Sequence, residues 1–500
     1  MKNSDLEPMT RAQGEAPSGE PHGKLPLDHS AIRGIVLGIM LAMFLSALEQ
    51  TIVAPALPTI GRTLGEVGNL AWVVTAYLLA ATAVTPLFGK LSDIYGRRTI
   101  MLVSVGIFIA GSIACALAPT MLTLILARAL QGVGGGGILP LAQTVIADMV
   151  APRDRGRYQA YTAVMFMAAS VIGPLLGGVL TDQLHWSLIF WINVPLGLLA
   201  LVMTDRALRR LPRHDQPHQL DMLGAAVMVA ASIALLLALT WGGVAYPWLS
   251  PQILGLVGGS CLLWILFAVR LMSAAEPFIP LSMVREPVVG AIVAAGFFSV
   301  GTIIGLSIFI PLYLELVLGL PASASGGVLI AFMAGTVVGS LTVGRLISRM
   351  RRYKRIGIAG LMLAIAMLVV LAIRPAGFSV VEVMVLTGAL GTGLGTMYPM
   401  TTIIIQNVVP LHQLGTATGT LNFFRILGGA IIVAVFGAIV LGGADPAHLR
   451  LGHAAEAGRP TADLAVAFRW VFTAAAAFLA AGLAAMLIVE ERELRGQPTT

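Results

Sequence analysis

Two charged residues lie deep inside long apolar stretches of the sequence, where ionisable side chains are rare and costly. Glu49 follows Arg33 by 16 residues, or roughly 24 Å along a helix, which places it in the outer half of a hydrocarbon core about 30 Å thick. Arg128 lies about seven residues from the outer end of another apolar stretch, or roughly 10 Å deep. The two charges therefore match in depth.

This pair could carry proton chemistry. An acid that water can reach exchanges protons, whereas an arginine stays charged and needs a partner. Glu49 is the only acid that the sequence places deep in a helix of the first half, so it is the expected partner of Arg128. Two interpretations stay open: a static ion pair between two helices, or a proton-coupling site in which protonation of Glu49 releases Arg128 and changes a cavity's shape and charge.

Further polar residues predict the wall of such a cavity. Gln131 shares a helix face with Arg128, because residues three apart are neighbours on a helix. In the second half, Arg425 lies near the middle of an apolar stretch with Asn422 on its face, and no deep acid matches it there. Arg425 is therefore expected to meet backbone carbonyls, the substrate or Glu49. Gln131, Asn422 and Arg425 are the candidates for the substrate cavity.

The segment GKLSDIYGRR, from Gly89 to Arg98, separates two apolar stretches and predicts a short loop at the membrane surface. Gly89 and Gly96 would allow a tight turn. Asp93 is the one acid among basic residues, so it is expected to pair with an arginine such as Arg97 or to lie at a helix N-terminus, where the helix dipole favours negative charge.

A row of small residues marks the fifth apolar stretch. Ala169, Gly173 and Gly177, with Ser170, Pro174 and Gly178 beside them, allow close contact with another helix, and the proline loosens the backbone. By physical reasoning alone this row predicts a packing seam between two helices.

The composition excludes several classes of protein. Of the 500 residues, 57% are hydrophobic and 11% charged, against about 25% charged in soluble proteins, so a polytopic membrane protein is expected. The net charge is +7, and the basic residues lie in short segments between apolar stretches. This distribution indicates the orientation of the chain in the membrane and not nucleic-acid binding. No histidine or cysteine spacing suggests a metal site, and no nucleophile elbow is present, so neither a cofactor nor an enzyme is expected.

Fourteen apolar stretches of about 20 residues, the length that spans a bilayer, occur between residues 33 and 489. With the N-terminus inside, 24 of the 31 basic residues fall on the inner side, which predicts that both termini are cytoplasmic. Two landmarks recur: GKLSDIYGRR returns as GRLISRMRRYKR 255 residues later, and GVGGGGILP as GTGLGTMYP after 259 residues. Helices 1–6 and 9–14 are therefore predicted to be parallel repeats, with helices 7 and 8 inserted between them.

These patterns predict five segments. A disordered cytoplasmic tail at 1–31 is followed by a six-helix bundle at 32–205, a linker with the inserted helices at 206–286, a second six-helix bundle at 287–490 and a cytoplasmic tail at 491–500.

Together the motifs resemble those of the fourteen-span drug:proton antiporters of the major facilitator superfamily, the EmrB/QacA type. The stretch from His185 to Gly197 and the one around Glu49, where the family usually has aspartate, resemble two further family motifs. The other matching residues are Gly89, Asp93, Gly96, Arg97 and Arg98 after helix 2, Arg128, Gln131 and Gly132 in helix 4, and Gly173, Pro174, Gly177 and Gly178 in helix 5.

The resemblance implies an all-α major facilitator fold of 14 transmembrane helices, in which two six-helix bundles rock around a central cavity and two inserted helices lie outside the main transport path. It also implies that inward proton flow drives export of a hydrophobic, often cationic compound, with gating by the segment after helix 2 and antiport linked to the helix 5 motif. In that mechanism Arg128 would bias proton exchange at Glu49.

The expected partners are a small hydrophobic substrate, protons and membrane lipid in the inner membrane, without nucleic acid. Periplasmic efflux partners and a monomer that works alone both stay open. Export of a single endogenous compound, such as a lipid or a siderophore, and uncoupled lipid scrambling are the alternative functions. An uptake symporter is disfavoured by the helix 5 motif.

Overall fold

The computed structural model describes residues 29–66, 69–150, 152–209, 220–274, 276–347, 349–350, 352–442 and 461–492. Within these ranges 14 helical spans are long and apolar enough to cross a membrane, which confirms the prediction. The predicted tails at 1–31 and 491–500 lie almost wholly outside the described residues.

Several of the 14 spans consist of more than one helix. The first combines α1 and α2, the sixth combines α7 and α8, and the twelfth combines α15 and α16. The helices are α1 His29–Ile52, α2 Leu57–Leu64, α3 Leu70–Tyr95, α4 Arg97–Ala116, α5 Met121–Met149, α6 Pro152–Gln183, α7 Leu188–Trp191, α8 Asn193–Leu208, α9 Met222–Trp241, α10 Pro251–Ser273, α11 Leu281–Arg285, α12 Pro287–Leu316, α13 Ala322–Leu346, α14 Lys354–Ile373, α15 Val380–Gly395, α16 Met397–Val408, α17 Leu414–Gly442 and α18 Thr461–Ile488.

The segment from Gly89 to Arg98 is not a loop, and this prediction was wrong. Helix α3 continues to Tyr95, α4 begins at Arg97, and Gly96, with φ of 88°, is the one residue between them. Gly89 lies inside α3 and serves close helix packing instead of a turn. Asp93 therefore lies on the last turn of a helix, where its direction is fixed.

The helices form two bundles, α1 to α8 and α12 to α18, with α9 and α10 packed on each other as the inserted pair. Between the bundles, α3 packs against α17 and α6 packs against α13. This arrangement confirms the predicted fold of two six-helix bundles plus two inserted helices.

Glycines let α5 pack very closely on its neighbours. A Cβ at Gly132 or Gly136 would meet the backbone of Tyr77 or Ala81 on α3, and a Cβ at Gly134 would meet the backbone of Phe108 on α4. The second bundle repeats this pattern 259 residues later in α15, where a Cβ at each of three glycines would also meet backbone. These are Gly391 and Gly395 against α13 and Gly393 against α14.

The two bundles meet without intervening side chains at one end of the molecule. There the backbone of Gly89 on α3 lies against Gly415 on α17, and Gly156 on α6 lies against Gly344 on α13. This end also carries the α3–α4 and α5–α6 connections, and we call it the basic end. Glycines at both seams allow the helices to approach more closely than helices with side chains can.

Candidate functional site

Glu49 on α1 is fully buried, and both oxygens of its carboxylate accept hydrogen bonds. Oε1 accepts from Nη1 of Arg128 on α5, which forms an ion pair, and Oε2 accepts from Nδ2 of Asn193 on α8 at 2.5 Å. The carboxylate of Glu49 on α1 is therefore held by side chains of two other helices of the first bundle, α5 and α8. Asn193 lies in the stretch from His185 to Gly197 that resembles a family motif, but its contact with Glu49 was not predicted.

Arg128 has hydrogen-bond and cation–π partners besides Glu49. Its Nη1 donates to Oε1 of Gln131 at 2.6 Å, and its Nε donates to the carbonyl of Val73 at 2.9 Å. The guanidinium carbon lies 4.5 Å from the ring centroid of Tyr77 and 5.7 Å from that of Phe190. Cation–π contacts of this kind stabilise a desolvated guanidinium. Arg128 therefore has several neighbours that would remain if Glu49 lost its charge.

A cavity of about 600 Å³ lies between the two bundles. Its wall is mainly apolar, and none of its described lining residues is Asp, Glu, Lys or Arg. Tyr77 lines this cavity and also covers Arg128, so one residue contacts both the guanidinium and the cavity. The polar side chains that line the cavity are Ser46, Gln50, Thr75, Thr82, Thr85, Thr240 and Asn422.

Arg425 on α17 is 1% exposed and is held by neutral groups. Its Nη2 donates to the carbonyl of Tyr398 at 2.8 Å and to the hydroxyls of Thr401 and Thr402 at 2.5 and 2.9 Å, and its guanidinium carbon lies 4.3 Å from the Tyr398 ring centroid. Nη1 donates to Oδ1 of Asn422 at 3.3 Å. In the described part of the chain no carboxylate forms an ion pair with it, and Glu49 is paired elsewhere.

Only one of the three predicted cavity residues lines the cavity. Asn422 does so, whereas Gln131 and Arg425 are buried behind the wall, where they contact Arg128 and Asn422 respectively. The sequence correctly placed Gln131 on one helix face with Arg128, and Asn422 on one face with Arg425. Helical periodicity does not show which residues of other helices cover these side chains.

Hydrogen bonds between the bundles continue from the cavity toward the basic end. Nδ2 of Asn422 donates to Oε1 of Gln143 on α5 at 2.7 Å, and Nε2 of Gln143 donates to the hydroxyl of Tyr398 at 3.1 Å. Gln406 donates to the Gln143 carbonyl at 3.3 Å. This network connects α5 to α16 and α17, and it lies one helical turn beyond Pro140, which lines the cavity.

At the basic end Asp93 connects the bundles. Its carboxylate accepts hydrogen bonds from the backbone N–H groups of Gly415 at 2.9 Å and Thr416 at 2.7 Å, and from the Thr416 hydroxyl at 2.6 Å. It also forms an ion pair with Arg97. Asp93 thus caps the N-terminus of α17, a helix of the other bundle, in addition to pairing with an arginine.

The neighbouring arginines form their ion pairs within the first bundle. Nε of Arg97 donates to Asp148 on α5 at 2.9 Å. Arg98 donates through Nε to Asp205 on α8 at 2.9 Å, and Arg209 contacts the same carboxylate at 2.7 Å. Arg97 and Arg98 therefore connect α3, α4, α5 and α8 around the turn at Gly96.

The small-residue row of α6 packs on α1, where the carbonyl of Ala169 accepts a hydrogen bond from the Thr51 hydroxyl at 2.8 Å. A Cβ at Gly173 would meet the Thr51 side chain, and a Cβ at Gly177 would meet the Ile52 carbonyl. Pro174 is exposed and Gly178 faces open space. The predicted seam is thus formed by Ala169, Gly173 and Gly177, directly after Glu49 along α1.

Comparison with known proteins agrees with this architecture. Residues 39–433 match the Major Facilitator Superfamily. An uncharacterized MFS-type transporter of Mycobacterium tuberculosis is 37% identical over 425 residues, which cover 85% of this chain and 61% of that protein. The chain thus spans less than two thirds of the length of this relative. Multidrug resistance protein 3 of Bacillus subtilis is 33% identical over 405 residues, with 81% of this chain and 79% of that protein covered.

Solved structures share the fold at low sequence identity. The human organic anion transporter MFSD10 superposes with a TM-score of 0.65 at 15% identity, covering 91% of this chain and 99% of that one. A bacterial homologue of the iron transporter ferroportin, in an outward-facing state, gives 0.64 at 13% identity, covering 92% and 100%. These relatives are transporters and not enzymes. From the matched residues, the two bundles and the fourteen spans we conclude that the chain belongs to the Major Facilitator Superfamily.

Proposed function

We propose that this transporter exports hydrophobic compounds in exchange for protons. The observation that carries the proposal is the buried Glu49–Arg128 pair, whose guanidinium lies against the ring of Tyr77, a residue of the central cavity wall. Ionisable residues at this depth are costly in a membrane, and they mark substrate pathways and proton relays.

In the proposed cycle a proton adds to the Glu49 carboxylate. The ion pair with Arg128 is then lost, and the guanidinium keeps its bonds to Val73 and Gln131 and its contact with Tyr77. Any shift of Arg128 acts on the Tyr77 ring and so on the cavity wall. Loss of the proton re-forms the pair and reverses the change.

Access to the cavity would alternate between the two sides of the membrane. The seams at Gly89 and Gly156 and the cap that Asp93 forms on α17 close the basic end, whereas the cavity continues to Val244 and Leu441 at the opposite ends of α9 and α17. We assign the basic end to the cytoplasmic side of the inner membrane because most basic residues lie on that side. Both termini are then cytoplasmic.

The cavity supports a small lipophilic substrate. Its volume of about 600 Å³ falls within the range of roughly 300–1,000 Å³ that is common for drug-sized ligands, and the wall offers few hydrogen-bonding groups. Relatives named multidrug transporters and efflux pumps agree with substrates of this kind. Because one chain encloses the cavity, we propose that the protein acts as a monomer.

Transport of ethidium into inverted vesicles with an imposed pH gradient tests the proposal. The wild type should accumulate dye only with the gradient, and Glu49→Gln should abolish this accumulation. Glu315→Gln is the matched control, because Glu315 is exposed at the end of α12 and should transport normally. Equal transport by Glu49→Gln and the wild type would exclude Glu49 as the coupling acid, and transport without a gradient would exclude antiport.

A further inference from the structure

The inserted helix pair contributes to the wall of the central cavity. Leu236, Leu239 and Thr240 at the end of α9 line the cavity, as do Val244 and Trp248 in the turn between α9 and α10. The resemblance implied that these helices lie outside the main transport path. In the structure the end of α9 and the turn after it form one side of the cavity and of its mouth.

Aromatic contacts attach the inserted pair to both bundles. Trp241 of α9 packs edge to face on Trp72 of α3, with ring centroids 5.7 Å apart. Trp264 of α10 packs on Phe423 of α17 with centroids 6.1 Å apart. The pair therefore bridges the seam between α3 and α17.

This bridge closes a gap between the bundles. At the basic end, α3 and α17 touch directly through Gly89 and Gly415. Farther along the membrane normal, Leu236 of α9 packs in one buried cluster with Leu79 of α3 and Leu427 of α17. Helix α9 thus fills the space into which α3 and α17 diverge, and the cavity wall there consists of protein and not lipid.

The turn after α9 holds Trp248 in a defined position. The indole covers Gly242 and Gly243, where a Cβ would lie 2.6 and 2.8 Å from ring atoms. Gly243 has φ of 77° and donates its N–H to the Tyr246 carbonyl at 2.8 Å. Trp248 keeps 37% of its surface exposed. An indole that is held in place and still lines the cavity offers an aromatic surface for stacking.

We propose that α9 and Trp248 form part of the substrate-binding site and bind the planar aromatic part of a transported compound. Trp248 would stack on the ring system, while Leu236 and Leu239 would contact its apolar edge. This inference rests on the proposed function, because it takes the central cavity as the path of the substrate. It assigns to the inserted pair a role in substrate selection.

Equilibrium binding of ethidium to the purified protein in detergent, without a pH gradient, tests the inference. Trp248→Ala should bind about tenfold more weakly than the wild type, as expected for the loss of a stacking ring and its buried area. Trp248→Phe should retain most of the affinity. Leu262→Ala is the matched control, since Leu262 of α10 is 58% exposed and lies outside the lining, and it should bind like the wild type.

A second measurement does not depend on how well the Trp248 variants fold. Thr240→Cys, in a Cys261→Ser background that removes the exposed native thiol, should react with a small water-soluble maleimide, and ethidium should slow the reaction. The inference is overturned if ethidium does not bind the wild type, if well-folded Trp248→Ala binds it normally, or if it leaves the labelling rate unchanged. Loss of gradient-driven transport with these results intact would refute only the proposed function.

Discussion

Substitution of Asp93 by Asn should open the basic end of the protein. The carboxylate accepts three hydrogen bonds from α17 and one from Arg97. The side chain of Asp93 is only 4% exposed and that of Arg97 12%, so solvent screens the pair little. Asn keeps the size of the side chain but removes its charge and one of its acceptor atoms.

The expected loss can be summed from the contacts. Asn is as good a helix-capping residue as Asp, so only the loss of negative charge at the helix N-terminus is counted here, and it costs about 0.5 kcal/mol. Replacement of charge-assisted hydrogen bonds by neutral ones costs about 1.5 kcal/mol. The total of about 2 kcal/mol corresponds to roughly a thirtyfold shift from the closed toward the open basic end.

Spin-label distances can report this shift. Labels at Thr99 on α4 and Arg355 on α14 would lie on exposed positions of opposite bundles at the basic end. We expect a single distance for the wild type and a second, longer distance for Asp93→Asn, with Cys261→Ser as background. Asp205→Asn is the control, because Asp205 pairs with Arg98 and Arg209 inside the first bundle and should leave the distance unchanged.

The reasoning would fail if Asp93→Asn kept the wild-type distance distribution in the presence and absence of a pH gradient. It would also fail if Asp205→Asn produced the same long component, because the effect would then follow from loss of any acid at this end and not from the cap on α17.

Three further predictions follow from the packing. Arg128→Met should lower the free energy of unfolding by about 3–5 kcal/mol because it leaves the Glu49 carboxylate buried without its counter-ion, and combining it with Glu49→Gln should restore part of the loss in thermal unfolding in detergent. Gly177→Ala should lower the melting temperature because its Cβ meets the Ile52 carbonyl, whereas Gly178→Ala, which faces open space, should leave it unchanged. Gln143→Leu should weaken closure at the basic end and lengthen the spin-label distance, since it removes side-chain hydrogen bonds between the bundles.

The sequence predicted the spans and the depth of the charged residues because both depend on local periodicity and hydropathy. The common depth of Glu49 and Arg128 was sufficient to suggest a partnership. Asn193 was missed because a single amide at the start of a helix carries no depth signal. For Arg425 the sequence left three kinds of partner open, and the structure shows a backbone carbonyl with hydroxyls and an amide, which depend on how α16 crosses α17.

The wrong prediction at Gly89 has a similar cause. A glycine near charged residues commonly marks a turn, and the sequence contains no local sign that α17 crosses α3 at this point. The same limit applies to the inserted helices. Their apolar sequences are those of any membrane span, so contact with the cavity could be recognised only once α9 was placed between α3 and α17.

At the basic end, different residues determine the rate at which the two bundles part and the equilibrium between the closed and open states. Where Gly89 lies against Gly415 and Gly419, no interlocking side chains must change rotamer for the helices to part, so this surface adds little to the activation barrier. The preference for the closed end is left to the polar contacts of Asp93. Variants at the glycines are therefore expected to alter the rate of interconversion, and variants at Asp93 the population of each state.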